Sequence, residues 1–251
     1  MARKLTKEEL IIHKNESLEH LDKFLTSLIN SNNKNNHSKA DKLCFWIRDW
    51  VTFLNFEPSF RPNSLRRYKR GEIIKVHLGY NVGSEEGGLH YCVVMDKNNS
   101  LLSPIITIVP LTSVKVTTDL SKLHNGNIFL GNELFTNLRS KSTSCLSLLE
   151  KRSKELVVIK NSDEYKDNLP DAFYQQLSTC EKELALIKRM QSEIQKMKQG
   201  SIALVSQVTT VSKIRIYDPK TNYDVLSNVK LSNQKLDLLD DEICRLFTNK
   251  K

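Results

Sequence analysis

The stretch from residue 70 to residue 95 constrains the fold of this chain more than any other. An apolar run at 73–76 enters a loop at 79–88 that is rich in glycine and acidic residues, and a second apolar run at 89–95 leaves it. A third run follows at 105–113. β-Branched residues pack well on a pleated surface, and glycine-rich segments form turns. The sequence therefore predicts three consecutive β-strands joined by short connections.

The composition is that of a water-soluble protein with a basic surface. The chain has 251 residues, of which 39% are hydrophobic and 27% are charged, which is enough for one large or two small domains. Its formal charge of +9 predicts an acidic partner, with nucleic acid the first candidate, although a lysine-rich surface explains the same excess. The five cysteines form no C-x-x-C pair, which favours reduced thiols and a cytoplasmic location.

Membrane, metal and cofactor motifs are absent from the sequence. No apolar run is long enough to span a bilayer, and no apolar signal segment follows the N-terminus. The six histidines are scattered without an H-x-x-x-H pair, and there is neither a P-loop nor a dinucleotide fingerprint. We therefore expect no membrane association, no metal and no cofactor.

Two amphipathic helices are predicted ahead of the strands, at 6–29 and 39–55. Thr6 and Glu9 have the spacing of a capping box at the start of the first helix. An asparagine-rich stretch at 30–38 is predicted to break the pattern, because such side chains bond their own backbone in turns.

Pro58 and Pro62 are predicted to end this helical hairpin and to form a stiff linker. We therefore predict an N-terminal hairpin domain at 1–60 and a second domain at 66–251.

The remainder of the pattern mixes helices and strands, which gives an α+β class. The predicted elements are a strand at 156–159, a long helix at 171–198, strands at 201–206 and 211–216, and a closing helix at 231–247. The short apolar segment at 145–149 fits a strand or the start of a helix equally well, and that choice stays open.

Three motifs in the strand region carry a resemblance to a known family. They are Arg-Gly-Glu-Ile at 70–73, Asn-Val-Gly-Ser-Glu-x-Gly-Gly at 81–88 and Pro-Leu-Thr-Ser at 110–113. This arrangement resembles the PemK/MazF family of bacterial toxins. A second block, with the strand at 200–207 and the closing helix, is similar to the end of the same family.

The resemblance implies an SH3-like β-barrel of the MazF/PemK (CcdB-like) type, with five to seven strands. About 97 residues, at 69–113 and 200–251, carry it. The residues between these blocks, at about 114–199, are expected to be a helical insertion, and the N-terminal hairpin is expected to lie outside the family core.

The function that the resemblance implies is that of a type II toxin: sequence-specific cleavage of single-stranded RNA without a metal, giving 2′,3′-cyclic phosphate and 5′-OH ends. This reaction needs a base for the 2′-OH, donors for the charged phosphorane and an acid for the leaving oxygen. His90 follows the loop and titrates near neutral pH, and Thr112 matches the catalytic hydroxyl of the family. Glu85 is expected to orient His90 or to withdraw the 2′-OH proton.

Further residues are expected to contact RNA. Gly87 and Gly88 allow close backbone approach or positive φ, Ser113 adds a second hydroxyl, and basic residues before and within the first strand follow the phosphates. The complete set of expected RNA contacts is Ser84, Gly87, Gly88, Ser113, Arg70, Lys75 and Gln207.

Two departures from the family leave the activity open. The family commonly has an arginine at the position of His90 and another at the position of Thr209. The alternative is a catalytically inactive module that keeps the fold and binds RNA or protein. The related gyrase-poisoning toxins share the fold but lack the Gly-Ser-Glu-x-Gly-Gly loop. The resemblance further implies a homodimer and a cognate antitoxin whose disordered tail fills the RNA groove.

Overall fold

The structure, a computed structural model, describes residues 4–162, 169–198 and 200–249. It divides into two compact units, Met1–Pro58 and Ser59–Lys251. Parts of the predicted insertion, at 163–168 and 199, and the ends of both predicted domains, at 1–3 and 250–251, lie outside the described residues.

The N-terminal unit consists of two helices, α1 (Lys7–Ile29) and α2 (Lys34–Phe56). The predicted capping box is confirmed. The Thr6 hydroxyl accepts a hydrogen bond from the Glu9 N–H at 3.2 Å, and the Glu9 carboxylate accepts one from the Thr6 N–H at 2.8 Å. These two bonds satisfy N–H groups that have no partner within the helix.

The asparagine-rich break is shorter than predicted, because its residues begin the second helix. The Asn33 side chain accepts a hydrogen bond from the Asn35 N–H at 2.9 Å, so Asn33 is the N-cap of α2. The prediction that residues up to 38 form a turn was therefore wrong. The tendency of asparagine to bond nearby backbone is used here to start a helix.

The described residues of the second unit form seven strands and three α-helices. The strands are β1 (Ile73–His77), β2 (Leu89–Val94), β3 (Ile105–Ser113), β4 (Asn127–Gly131), β5 (Ser201–Leu204), β6 (Thr209–Ser212) and β7 (Ile216–Asp218). The helices are α3 (Glu133–Lys160), α4 (Asp171–Lys196) and α5 (Asn233–Phe247). The sheet is antiparallel in the order β4-β5-β3-β2-β1-β7, and β6 pairs with β3.

The α+β class is confirmed, but the described strands do not form a closed SH3-like barrel. Within the described residues, the two ends of the strand path, β4 and β7, do not pair with each other. β7 has only three residues and meets β1 at two positions, Lys75↔Asp218 and Val76↔Ile216. So short an edge strand offers few backbone groups with which to close a sheet.

Two predictions for the later elements need correction, and one choice left open is decided. The segment at 156–159 lies within α3, because Leu156 packs with Phe173 and Cys180 of α4 instead of joining the sheet. The open segment at 145–149 is also in α3. Part of the predicted helical insertion is β4, which pairs with β5.

The predicted strand at 211–216 is interrupted by a 3-10 turn at Lys213–Arg215. The Ser212 hydroxyl caps this turn by accepting a hydrogen bond from the Ile214 N–H, and the Lys213 ammonium donates to the Ser100 carbonyl at 2.8 Å. These contacts end β6 and turn the chain toward β7.

Two hydrophobic cores lie on opposite faces of the sheet, because successive strand side chains point in opposite directions. Ile73 faces the first core, which the three helices of this unit cover, and Ile74 faces the second. Members of the first core are Val93, Leu111, Leu138, Ile187 and Leu239, and members of the second are Val76, Cys92, Val94, Ile108 and Ile216.

Candidate active site

The glycine-rich loop between β1 and β2 is closed by its own backbone. The Gly88 N–H donates to the Gly79 carbonyl at 2.6 Å, and the Leu78 N–H donates to the Gly88 carbonyl at 2.7 Å. Gly88 has a φ of +85°, and a Cβ at Gly87 would lie 2.9 Å from the Gly79 oxygen. Both positions therefore require glycine, one for its backbone conformation and the other for close approach.

Gln207, in the 3-10 turn between β5 and β6, holds this loop from the neighbouring part of the sheet. Its Oε1 accepts a hydrogen bond from the Glu86 N–H at 2.6 Å, and its Nε2 donates to the Ser84 carbonyl at 3.3 Å. Asn81 adds a bond from its Nδ2 to the Glu86 carbonyl at 2.7 Å. Gln207 therefore fixes the loop, and the Ser84 side chain is exposed.

His90 lies at the start of β2 with both ring nitrogens engaged. Nδ1 lies 3.2 Å from the Leu111 carbonyl oxygen, and Nε2 lies 2.9 Å from Oε1 of Glu86. A carbonyl and a carboxylate can only accept, so both ring nitrogens must carry protons to make these bonds. The geometry therefore fits an imidazolium better than a neutral ring.

The titration of this pair agrees with its geometry. The hydrogen bond to Glu86 is the largest influence on His90 and raises its pKa above the ordinary 6.5, against the opposing effect of burial. The same bond lowers the pKa of Glu86 below the ordinary 4.5. Both shifts favour the state in which His90 is a cation held by the Glu86 carboxylate.

Glu85 does not have the predicted place beside His90. It is exposed, and its carboxylate accepts a long hydrogen bond of 3.4 Å from the Val82 N–H within the loop. Its neighbour Glu86 orients the imidazole instead. Glu86 is not among the site residues predicted from the sequence, because it occupies the variable position of the Gly-Ser-Glu-x-Gly-Gly motif. Its position four residues before His90 could have indicated it as a partner of the imidazole.

Thr112 lies near the end of β3, the strand beside β2. The two strands pair from Cys92↔Pro110 to Val94↔Ile108, and beyond this register Nδ1 of His90 still lies 3.2 Å from the Leu111 carbonyl oxygen. Thr112, the next residue of β3, therefore lies in the strand segment beside His90.

His90, Thr112 and Ser113 line one cavity of about 220 Å³. Lys196, at the end of α4, and Lys198, just beyond it, line the same cavity. Among the described residues that line it there is no Asp or Glu, so its electrostatic character is positive. The hydroxyls of Thr112 and Ser113 make no hydrogen bond to the part of the chain that the structure describes, and can donate to an anion.

The sequence analysis did not find the two lysines. They come from the segment expected to be an insertion, and only the packing of α4 on the sheet brings them beside His90. No local sequence signal distinguishes them from the other lysines of the chain.

Arg70 and Lys75 are not directed at this cavity. Arg70 forms an ion pair with Asp240 of α5 and donates to the Met95 carbonyl at 2.5 Å. The Lys75 ammonium lies 2.5 Å from a carboxylate oxygen of Glu193 on α4. Both charges are therefore taken up by contacts that join the sheet to its helices.

Within residues 4–162, 169–198 and 200–249, no group of three or more His, Cys, Asp or Glu side chains is placed to hold a metal ion. A search of the same residues finds no helix long and apolar enough to cross a membrane.

Comparison with known proteins gives one match. Residues 69–144 match the family described as "PemK-like, MazF-like toxin of type II toxin-antitoxin system". No curated protein matches the chain. The matched segment runs from the residues before β1 through β4 and into α3, so it includes the glycine-rich loop, His90 and Thr112. It also passes through residue 114, where the sequence analysis placed the start of the insertion.

Proposed function

Because residues 69–144 match the family of PemK-like, MazF-like toxins of type II systems, we propose that this chain is an endoribonuclease that cleaves single-stranded RNA without a metal ion. The observation that carries the proposal is that His90 and Thr112 line one positively charged cavity beside the glycine-rich loop. The cavity would receive the phosphodiester that is cut.

The His90–Glu86 pair supplies an acid and a base in contact. The phosphodiester binds beside His90, and Glu86, which contacts His90 but does not itself line the cavity, exchanges this contact for the substrate and takes the proton of the ribose 2′-OH. The 2′-oxygen then forms a bond to phosphorus while the bond from phosphorus to the 5′-oxygen breaks. His90 gives its Nε2 proton to the leaving 5′-oxygen. The products are a 2′,3′-cyclic phosphate and a 5′-OH.

The assignment of roles follows from the pKa directions. The raised pKa of His90 favours the imidazolium, which can act as an acid, and the lowered pKa of Glu86 favours its carboxylate, which can act as a base. Thr112 donates its hydroxyl hydrogen to a non-bridging phosphate oxygen, and Lys196 and Lys198 stabilise the charge that builds up on the phosphorane.

The two departures from the family are compatible with this chemistry. His90 as an imidazolium supplies a cation where the family commonly has an arginine. Thr209 is the first residue of β6, where it pairs with Ile108, and its side chain carries no charge. We propose that Lys196 and Lys198, contributed by the segment around the end of α4, replace the charge that is missing at position 209.

The experiment uses adjacent carboxylates as a matched pair. The purified chain is incubated with long single-stranded RNA in EDTA, and the ends are mapped. Glu86→Gln, His90→Ala and Thr112→Ala are each expected to lower the cleavage rate by about 100-fold or more, since a positioned acid or base contributes about that much. Glu85→Gln is expected to cleave like the unchanged chain. Equal losses in Glu85→Gln and Glu86→Gln would contradict the assigned base.

One observation favours the alternative of a non-catalytic module. Both ring nitrogens of His90 bond to protein acceptors, so His90 must give up its hydrogen bond to Glu86 and form one to the substrate before it can donate a proton. If the chain binds RNA without ever cutting it, and Glu86→Gln binds RNA with the same affinity, then the chain is an RNA-binding module and not an enzyme.

The assembly is also a proposal. The family consists of toxins from type II systems, which implies an antitoxin partner. We propose a homodimer whose RNA groove is filled by the acidic, disordered tail of that antitoxin. Light scattering of the purified chain gives its oligomeric state. A short acidic protein encoded beside it, co-purifying and blocking cleavage, is the expected antitoxin.

A further inference from the structure

A second cavity adjoins the candidate active site on the far side of Lys196. It has a volume of about 340 Å³ and lies between α4, β7 and the segment that follows β7. Lys196 lines both this cavity and the one that contains His90. A chain of nucleotides that places a phosphate in the first cavity therefore has a neighbouring space within reach.

One face of α4 forms the charged wall of this second cavity. Arg189, Glu193 and Lys196 follow one another at intervals of four and three residues, so they share a face of the helix. The Glu193 carboxylate is already occupied, because it accepts from the Tyr91 hydroxyl and from the Lys75 ammonium. The charge that this wall presents to a ligand therefore comes from Arg189 and Lys196.

The other two carboxylates of the cavity are also used within the protein. Asp218 accepts a hydrogen bond from the Leu226 N–H at 2.7 Å. Asp224 accepts from the N–H groups of Lys220 and Thr221 at 2.8 and 2.7 Å. By contrast, the Arg189 side chain is 56% exposed and its contacts within the protein are long: Nη1 lies 3.9 Å from Asp224, and Nη2 donates to the Tyr223 carbonyl at 3.5 Å. The exposed part of this guanidinium can still contact a phosphate.

Tyr217 of β7 supplies an aromatic surface at the same place. It is 64% exposed, although it lies in a strand beside β1. On the protein side, the Lys75 ammonium lies 6.0 Å from the centre of its ring. An exposed tyrosine next to exposed cations is the combination that binds single-stranded nucleic acid, because a base stacks on the ring while the cations contact the backbone.

We propose that this second cavity binds a nucleotide of single-stranded RNA adjacent to the phosphodiester held beside His90, with its base stacked on Tyr217 and its phosphate contacted by Arg189 and Lys196. The inference rests on the proposed ribonuclease function and adds a site for substrate recognition. α4 lies outside the segment that matches the family, so Arg189 and Lys196 come from a part of the chain that the match does not cover.

The test measures binding separately from cleavage. The probe is a short fluorescein-labelled RNA that is fully 2′-O-methylated, and a second probe of equal length has 2′-O-methylated abasic residues throughout. Neither has a 2′-OH to attack phosphorus, so binding is read by anisotropy without cutting. Tyr217→Ala is expected to weaken binding of the first probe about 5- to 100-fold and to leave the abasic probe unaffected. Tyr217→Phe is expected to bind both probes like the unchanged chain.

Arg189 is tested against its neighbour on the helix. Arg189→Gln is expected to weaken both probes and to reduce the slope of log Kd against log salt by about 0.7, the change for one lost phosphate contact on a single strand. Lys188→Gln removes the same charge one residue away, at an exposed position that does not line the cavity, and is expected to change the slope much less.

The outcomes separate this inference from the proposed function. Unchanged binding in Tyr217→Ala, or an equal loss on both probes, overturns the stacking site even if the unchanged chain cleaves RNA. Equal salt slopes for Arg189→Gln and Lys188→Gln overturn the phosphate contact. Tyr217-dependent binding in a chain that never cleaves RNA supports the subsite and removes the ribonuclease proposal.

Discussion

The side-chain oxygen of Gln207 accepts a hydrogen bond from the backbone N–H of Glu86 at 2.6 Å, across 121 residues of sequence. This bond joins the turn after β5 to the loop that carries the proposed base. The orientation of Glu86 toward His90 therefore depends on a residue that is distant in the chain.

Replacement of Gln207 tests this dependence. Gln207→Leu is expected to speed amide exchange at Glu86 and to lower the free energy of unfolding by about 1 kcal/mol, since it removes the acceptor of a partly exposed N–H. Hydrogen exchange and urea unfolding measure the two effects. Gln207→Glu keeps an acceptor oxygen and is the control. Unchanged exchange at Glu86 in Gln207→Leu would show that the loop holds itself.

The His90–Glu86 pair makes stability depend on pH in a defined direction. The folded-state pKa of His90 lies above 6.5, so its contribution is complete below 6.5 and is lost as the pH rises through the folded value. The folded-state pKa of Glu86 lies below 4.5, so its contribution is complete above 4.5 and is lost as the pH falls through the folded value. The pair is therefore expected to stabilise the fold most between about pH 4.5 and 6.5. Urea unfolding over a pH series measures this window, and His90→Gln should remove the alkaline decline.

Lys75 and Glu193 provide a test of a sheltered ion pair. Their side chains are only 18% and 19% exposed, and Glu193 also accepts from the Tyr91 hydroxyl. Lys75→Met is expected to cost about 2–4 kcal/mol of unfolding free energy, because it leaves a sheltered carboxylate without its cation. Lys23→Met breaks a pair with Glu19 whose side chains are 73% and 64% exposed, and should cost at most about 0.5 kcal/mol. Similar losses in both variants would contradict the sheltered role of Lys75.

Lys141 of α3 fixes the segment that follows β7. Its ammonium donates to the carbonyl oxygens of Asp224, Val225 and Ser227 at 3.0, 2.8 and 2.7 Å. Lys141→Met is expected to lower the free energy of unfolding by about 2–3 kcal/mol, since partly buried carbonyls lose a charged donor. Thermal unfolding measures the loss. Lys154→Met, at an exposed position of the same helix, is the control and should change stability little. An equal change in the two variants would show that the three hydrogen bonds of Lys141 do not stabilise this segment.

Much of the site could be predicted from the sequence because it is built from local pattern. β-Branched runs at 73–76, 89–95 and 105–113 form three successive strands, and the glycines at 87 and 88 are needed where the motif has them. Thr112 follows from its place at the end of β3. The segment at 156–159 has the same β-branched composition but is helical, since contacts with α4 outweigh an intrinsic preference of this size.

The sequence by itself determined the strand–loop–strand unit and its match to a toxin family, because alternating apolar residues, turn-forming asparagines and obligatory glycines act through the nearest few residues. Only the tertiary structure decided that Glu86 rather than Glu85 holds His90, that Arg70 and Lys75 are neutralised by helices, and that Lys196 reaches the cavity. The physical reason is that the ion pair a charged residue forms depends on which distant side chain packs beside it. The residues next to it in the sequence do not determine that packing.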